Sequence, residues 1–158
     1  EGMRDLVSAK QHFGTGLSLD ASHKEAHYRL GVIAAKERRF DDAEVHFTAA
    51  IDIDAQFADA HYNLARLLFK QGKSDAAMRE MELFKSLSAY NKEVESLERI
   101  LLYLPRDAKA HLELGHVHWK YEQHDRALEA YRTALSIRPG FRDAQQALTE
   151  ALEVTEAL

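Results

Sequence analysis

Residues 111–120 read HLELGHVHWK, placing His111, His116 and His118 within eight residues of one another beside the chain's only tryptophan, Trp119. Three imidazoles so close in sequence could ligate zinc or supply a general base. Helical geometry speaks against a joint site. His111 and His118 share a face but stand two turns apart, about 10.5 Å along the axis, whereas zinc–nitrogen bonds are about 2.0–2.1 Å. His116 points elsewhere. His23 and His27, at i and i+4, have the spacing that lets two rings meet one ion, but only Glu25 is close and no third ligand is evident. No metal site is expected.

Catalytic chemistry has equally little to stand on. Asp41, Asp42, Asp52 and Asp54 fall at helix ends, where capping and solvation account for carboxylates. The chain has no cysteine, hence no thiol nucleophile and no disulfide, and no glycine-rich phosphate loop. Nothing marks a Ser-His-Asp arrangement. The expectation is a protein that is not an enzyme and needs no cofactor.

The elements that carry these residues are helical by composition. Ala, Leu, Glu, Lys and Arg are abundant, strand-forming runs are missing, and only two prolines and seven glycines occur in 158 residues. With 46% apolar and 30% charged residues the chain can bury a core. Net charge is -5 and no single segment carries a Lys/Arg cluster, so nucleic acid is not an expected partner. No stretch approaches the roughly 18–20 apolar residues of a membrane span. A soluble chain is expected, with the cytoplasm preferred to the periplasm. Glu1 is not a natural start, so the chain is read either as a piece of a longer protein or as one beginning at Met3.

A repeat runs through it. H27YRLG31, H61YNLA65 and H111LELG115 align, and His27 and His61 stand 34 residues apart. The same offset links Ala9, Phe13 and Leu17 to Ala43, Phe47 and Ile51, His12 to His46, and Asp20-Ala21 to Asp54-Ala55. A 34-residue period with small residues at fixed places marks a solenoid of helical hairpins. Gly31, Ala65 and Gly115 let a second helix approach the first, and Ala43, Ala77 and Ala127 do so from the other side. Ser22-x-x-Glu25 and Asp41-x-x-Glu44 read as capping boxes.

These residues resemble the tetratricopeptide repeat (TPR) family, whose signature is an aromatic, Leu-Gly and an aromatic on helix A, then Ala and an aromatic on helix B, then Pro. One unit reads His27, Leu30, Gly31, Ala34, Ala43, Phe47, Ala50, with Ala55 in the proline slot. The next reads His61, Leu64, Ala65, Leu68, Ala77, Met81, Phe84, and the third His111, Leu114, Gly115, His118, Ala127, Tyr131, Ala134, Pro139. The resemblance implies an all-α, right-handed α-solenoid: a half repeat over 1–23, repeats over 24–57, 58–91 and 108–141, and a capping helix over 142–158, all in one array. It also makes His27, His61, His111 and His118 packing rings of helix A, so the histidines of HLELGHVHWK are a consequence of the repeat and not a site of their own.

His61 and His111 stand 50 residues apart, sixteen beyond the period. Either helices 74–88 and 91–104 are separate, or 74–104 is one long helix. Ala77, Met81, Phe84, Leu87, Tyr90, Val94, Leu97, Leu101 and Leu104 follow in steps of three or four with no break in phase, and no Gly or Pro intervenes. The expectation is one continuous or gently kinked helix, running on into 91–107, with the later hairpin packed about 24 Å along it.

In the TPR family the exposed positions of helix A line a concave groove. The resemblance therefore implies partner contact by Tyr28, Val32, Ala35 and Lys36, by Tyr62, Asn63, Arg66, Phe69 and Lys70, and by Leu112, His116, Trp119 and Lys120. Some relatives clamp a chaperone's terminal carboxylate. Asn63 and Lys109 match that pattern, but Tyr28, Val32 and Glu113 depart from it, which disfavours such a ligand. The expected function is a non-catalytic scaffold holding a protein or peptide segment in the groove. The alternative is a self-assembling, homo-oligomeric element, or an adaptor region of a larger protein.

Overall fold

A computed structural model describes Phe13 and residues 23–157 of the chain. Among these residues there are seven helices and no strand: α1 (Lys24–Lys36), α2 (Phe40–Ile53), α3 (Ala58–Lys70), α4 (Ser74–Tyr103), α5 (Ala108–Lys120), α6 (His124–Ile137) and α7 (Arg142–Glu156). The expected half repeat, including its Ala9, His12, Gly16 and Leu17 positions, lies outside the described residues, Phe13 excepted. The chain divides into two compact units at Leu87/Ser88.

Segment 74–103 is a single 30-residue helix. Ser86, Ser88 and Asn91 weaken a helix only mildly, and no Gly or Pro ends it. Its first part belongs to the first unit, where the Phe84 ring lies 4.9 Å from that of Tyr62. Its second part belongs to the second unit, where Tyr90 meets His118 and Tyr121.

Within the first unit α1 packs on α2, α2 on α3, and α1 touches α3. The core there is Ala34, Ala43, Phe47, Leu64, Leu67, Leu68 and Ala77. In the second unit α5 packs on α6 and α6 on α7, around Leu112, Ala127, Leu128, Tyr131, Ala134 and Phe141. The glycines explain the intimacy of the hairpins. A Cβ on Gly31 would lie 2.7 Å from ring carbons of Phe47, and one on Gly115 would lie 2.3 Å from Cε1 of Tyr131.

Three hairpin turns repeat one another bond for bond. Arg39, Lys73 and Gln123 donate their N–H to the carbonyls of Ala34, Leu68 and His118, each at 2.9 Å, and Arg38, Gly72 and Glu122 donate to Ala35, Phe69 and Trp119. These are Schellman closures, which require a left-handed residue. Arg38, Gly72 and Glu122 take that conformation, at φ 62°, 77° and 60°. Only Gly72 does so without steric penalty.

Both capping boxes need correction. Asp41 lies inside the first turn of α2, whose N-cap Arg39 makes no side-chain cap bond, because the turn at Arg38 brings the chain into helix before Asp41 is reached. Glu44 pairs instead with Lys73 at 2.8 Å, and that bond holds its carboxyl below the usual range. Ser22 lies outside the described residues, and α1 is capped by His23, whose Nδ1 accepts from the Ala26 N–H at 3.3 Å.

Gly115→Ala is expected to cost about 1–3 kcal/mol by overpacking against Tyr131. Gly140→Ala, where nothing lies within 4 Å, is expected to cost far less. Urea melts followed by Trp119 fluorescence check this, since that residue belongs to the same unit.

Candidate functional site

The histidines of helix A are structural braces. Nε2 of His61 lies 3.1 Å from the carbonyl of Ala55, and Nε2 of His111 lies 3.1 Å from that of Pro105, so each ring ties its helix to the carbonyl six residues upstream. His61 is buried, and its Nδ1 faces Oε2 of Glu80 at 2.7 Å. His27 and His46 meet Nδ1 to Nδ1 at 3.2 Å, so one ring carries its proton on Nδ1 and donates it to the other. Burial, and next the proximity of His27, hold the His46 imidazole below its ordinary pKa. In the i, i+4 pair, Nδ1 of His23 accepts from the Ala26 N–H and Nδ1 of His27 faces His46. Among the described residues no three His, Cys, Asp or Glu side chains gather where an ion could be held.

His118 sits in a relay. Arg126 donates to Tyr90 Oη at 3.1 Å, and Nδ1 of His118 is hydrogen-bonded to the same phenol oxygen at 3.0 Å. Burial, and then the Arg126 charge, lower its pKa.

The predicted partner residues separate into two groups. From α1 and α3, Val32, Lys36, Asn63, Arg66 and Lys70 line one cavity of about 640 Å³, together with Ala35 and, from the turn, Arg38. Val32, Ala35, Phe40, Phe47 and Leu67 form its apolar part. No carboxylate lines it. Lys36, Arg38, Arg66 and Lys70 stand outside every ion pair among the described residues. Asn63 spends its amide on Tyr28 Oη at 3.1 Å and on the Asp59 carbonyl at 2.9 Å. Tyr28 is thereby fixed between Phe47 and Phe57, and burial followed by the Asp59 charge raises its phenol pKa. Tyr62 turns to Phe84, with the Arg66 guanidinium 5.5 Å from its ring. Phe69, 47% exposed, is not part of the cavity lining.

The second unit uses the corresponding positions differently. Leu112 is 4% exposed and belongs to the core, which corrects its placement on a groove surface: α6 and α7 cover it. Trp119 packs against the same core with its ring 4.5 Å from that of His124. His116 is exposed, edge-on to Tyr131 at 5.6 Å. Lys120 bonds Glu93 at 2.7 Å, which lowers the pKa of the acid and raises its own. The larger cavity of this unit, about 760 Å³, is lined by Tyr103, Leu104, Pro105 and Ile137 with Arg106, Lys109 and Arg138 beside the carboxylate of Asp107, and holds none of the predicted residues. The smaller cavity is the stronger candidate, because its charges are unmatched and two helices converge on it.

Arg38 is the functional candidate that helix-based reasoning overlooks, because it lies in the turn. The available signal is its alignment with Gly72 at the 34-residue offset.

Among the described residues, three helical hairpins with matching turns, two of them closed by a glycine-to-ring contact, and a seventh helix define an all-α helical repeat of the solenoid class. Tetratricopeptide repeat family models match residues 2–56, 34–83 and 108–141, and the chain belongs to that family. No curated protein matches it. Among solved structures, MamA is 25% identical over 98% of this chain and 81% of its own, with a TM-score of 0.44. YrrB, described as a TPR protein with an unusual peptide-binding site, is 21% identical over 92% and 84%, with a TM-score of 0.47. The first TPR of Spaghetti (RPAP3), bound to an HSP90 peptide, is 18% identical over 87% and 96%, at 0.42. No helix among the described residues is long and apolar enough to cross a membrane.

The lowered pKa of His118 has a pH signature. The unfolded chain protonates this residue first, near the ordinary histidine value of 6.5, so stability is full above that pH and is lost as pH falls through the lower folded value. Urea melts read by Trp119 should show the second unit weakening below about pH 6.5, with a shallower decline in His118→Gln. An identical acid limb in both proteins would remove the assignment.

Proposed function

We propose that the chain is a non-catalytic interaction module whose first unit holds an extended segment of a protein partner along the face shared by α1 and α3. The observation that carries this reading is the convergence of Val32, Lys36, Asn63, Arg66 and Lys70, from two successive A helices, on one cavity. A hollow with an apolar part and directed donors at its rim has the make-up of a binding hot spot, where apolar area supplies affinity and a few polar groups fix register. The repeat itself supports the reading, since stacked hairpins offer neighbouring helices in the same orientation, suited to following a segment residue by residue. Ala35→Phe fills the cavity without changing charge. Affinity capture from native extract, compared between wild type and this variant, should show specific partners lost while helicity and the urea midpoint are kept. Unchanged capture removes the groove.

A second reading rests on a different observation. Leu102, Tyr103 and Leu104 are 75%, 78% and 57% exposed, side by side at the end of α4. Apolar exposure of this kind is suited to covering by another copy of the chain. Sedimentation across a concentration series should then show association that Leu102→Glu with Leu104→Glu suppresses; a single-chain mass throughout excludes it.

A further inference from the structure

The cavity between α1 and α3 carries charge that the repeat does not call for. Lys36, Lys70 and Lys120 are the last residues of α1, α3 and α5, one position in three repeats. The negative end of each helix dipole favours a cation there, which accounts for the residue type. It does not account for the difference in their pairing. Lys120 is neutralised by Glu93 at 2.7 Å, whereas Lys36 and Lys70 pair with no carboxylate among the described residues and both line the cavity. Arg38 is the second departure. It holds the left-handed slot at φ 62° that the next repeat gives to Gly72, so an arginine is kept where the backbone favours glycine, and its side chain lines the same cavity. With Arg66, four cations stand over Val32, Phe40 and Leu67 with no acid in the lining, in a chain of net charge -5.

We infer that the occupant of this groove is an acidic internal segment of a protein partner carrying one aliphatic or aromatic side chain. This deepens the groove reading and rests on it. The carboxylates of the segment meet Lys36, Arg38, Arg66 and Lys70, and the arginines can grip them bidentately. The apolar side chain enters beside Val32 and Leu67. A free chain terminus is not required, because the cations sit at the C-terminal ends of α1 and α3 and in the turn after α1. A nucleic acid fits less well, because the cations are confined to one hollow instead of tracking along a face.

The test is fluorescence anisotropy on the whole chain with an acetylated, amidated peptide of Asp and Glu around a single Phe. Its Asn/Gln counterpart and an oligothymidylate serve as comparisons. The acidic peptide is expected to bind more tightly than both and to weaken as salt is raised. Its affinity should fall about tenfold in Arg38→Gly and in Lys36→Gln with Lys70→Gln. Arg38→Gly should keep or raise the urea midpoint, because glycine relieves the left-handed turn, which separates a binding role from a structural one. Equal binding of the Asn/Gln peptide, stronger binding of the oligonucleotide, or an affinity untouched by Arg38→Gly overturns the inference. If Ala35→Phe abolishes partner capture while the charge variants leave it intact, the groove stands and its acidic occupant falls; if neither affects capture, the groove falls as well.

Discussion

Gly31 lies against the ring of Phe47 and Gly115 against the ring of Tyr131, so closely that neither glycine has room for a methyl group. Helices of 13 to 15 residues are marginal alone in water. They persist here because backbone meets ring over these contacts, and dispersion over many close atom pairs adds up. The spacing of the two helices, set this way, constrains everything at their far ends. The turn must be short, it must close on a left-handed residue, and in the first unit α1 comes to lie beside α3.

Polar groups finish what the glycines begin. An imidazole can fill an aromatic slot and still donate, and His61 and His111 use that capacity to hold the carbonyls of Ala55 and Pro105. A phenylalanine in the slot would pack but would leave those loops to water. The chain of Arg126, Tyr90 and His118 does the same in the second unit, tying α6, α4 and α5 together by hydrogen bonds. Such a network is strong when every member is satisfied and costly when one is not.

Much of this is legible in the residues. The period is carried by small side chains whose role is steric, and steric roles survive translation from sequence to structure: Gly31, Gly115, Ala43 and Ala127 all lie at buried contacts. The continuity of 74–103 is legible too, because the absence of a breaker is a local property. Which exposed position keeps its charge free is not. Lys36 and Lys120 are the same residue at the same repeat position, and only the distant Glu93 separates a neutralised lysine from an available one. A one-helix register puts Leu112 on a surface because it holds no record of α7, which comes later in the chain. The capping boxes fail for a related reason, since a Schellman turn starts α2 by main-chain bonds that no side-chain motif records.

That turn has an implication for how such repeats diversify. Arg38, Gly72 and Glu122 share one backbone geometry held by carbonyl and amide groups alone, yet they are a cation, no side chain and an anion. The turn closes with any of the three, although glycine alone adopts it without steric penalty. A single codon at the corner of a hairpin can therefore reverse the sign of the rim beside a neighbouring hollow, and a lineage of repeats can change the ligands it prefers without renegotiating its architecture.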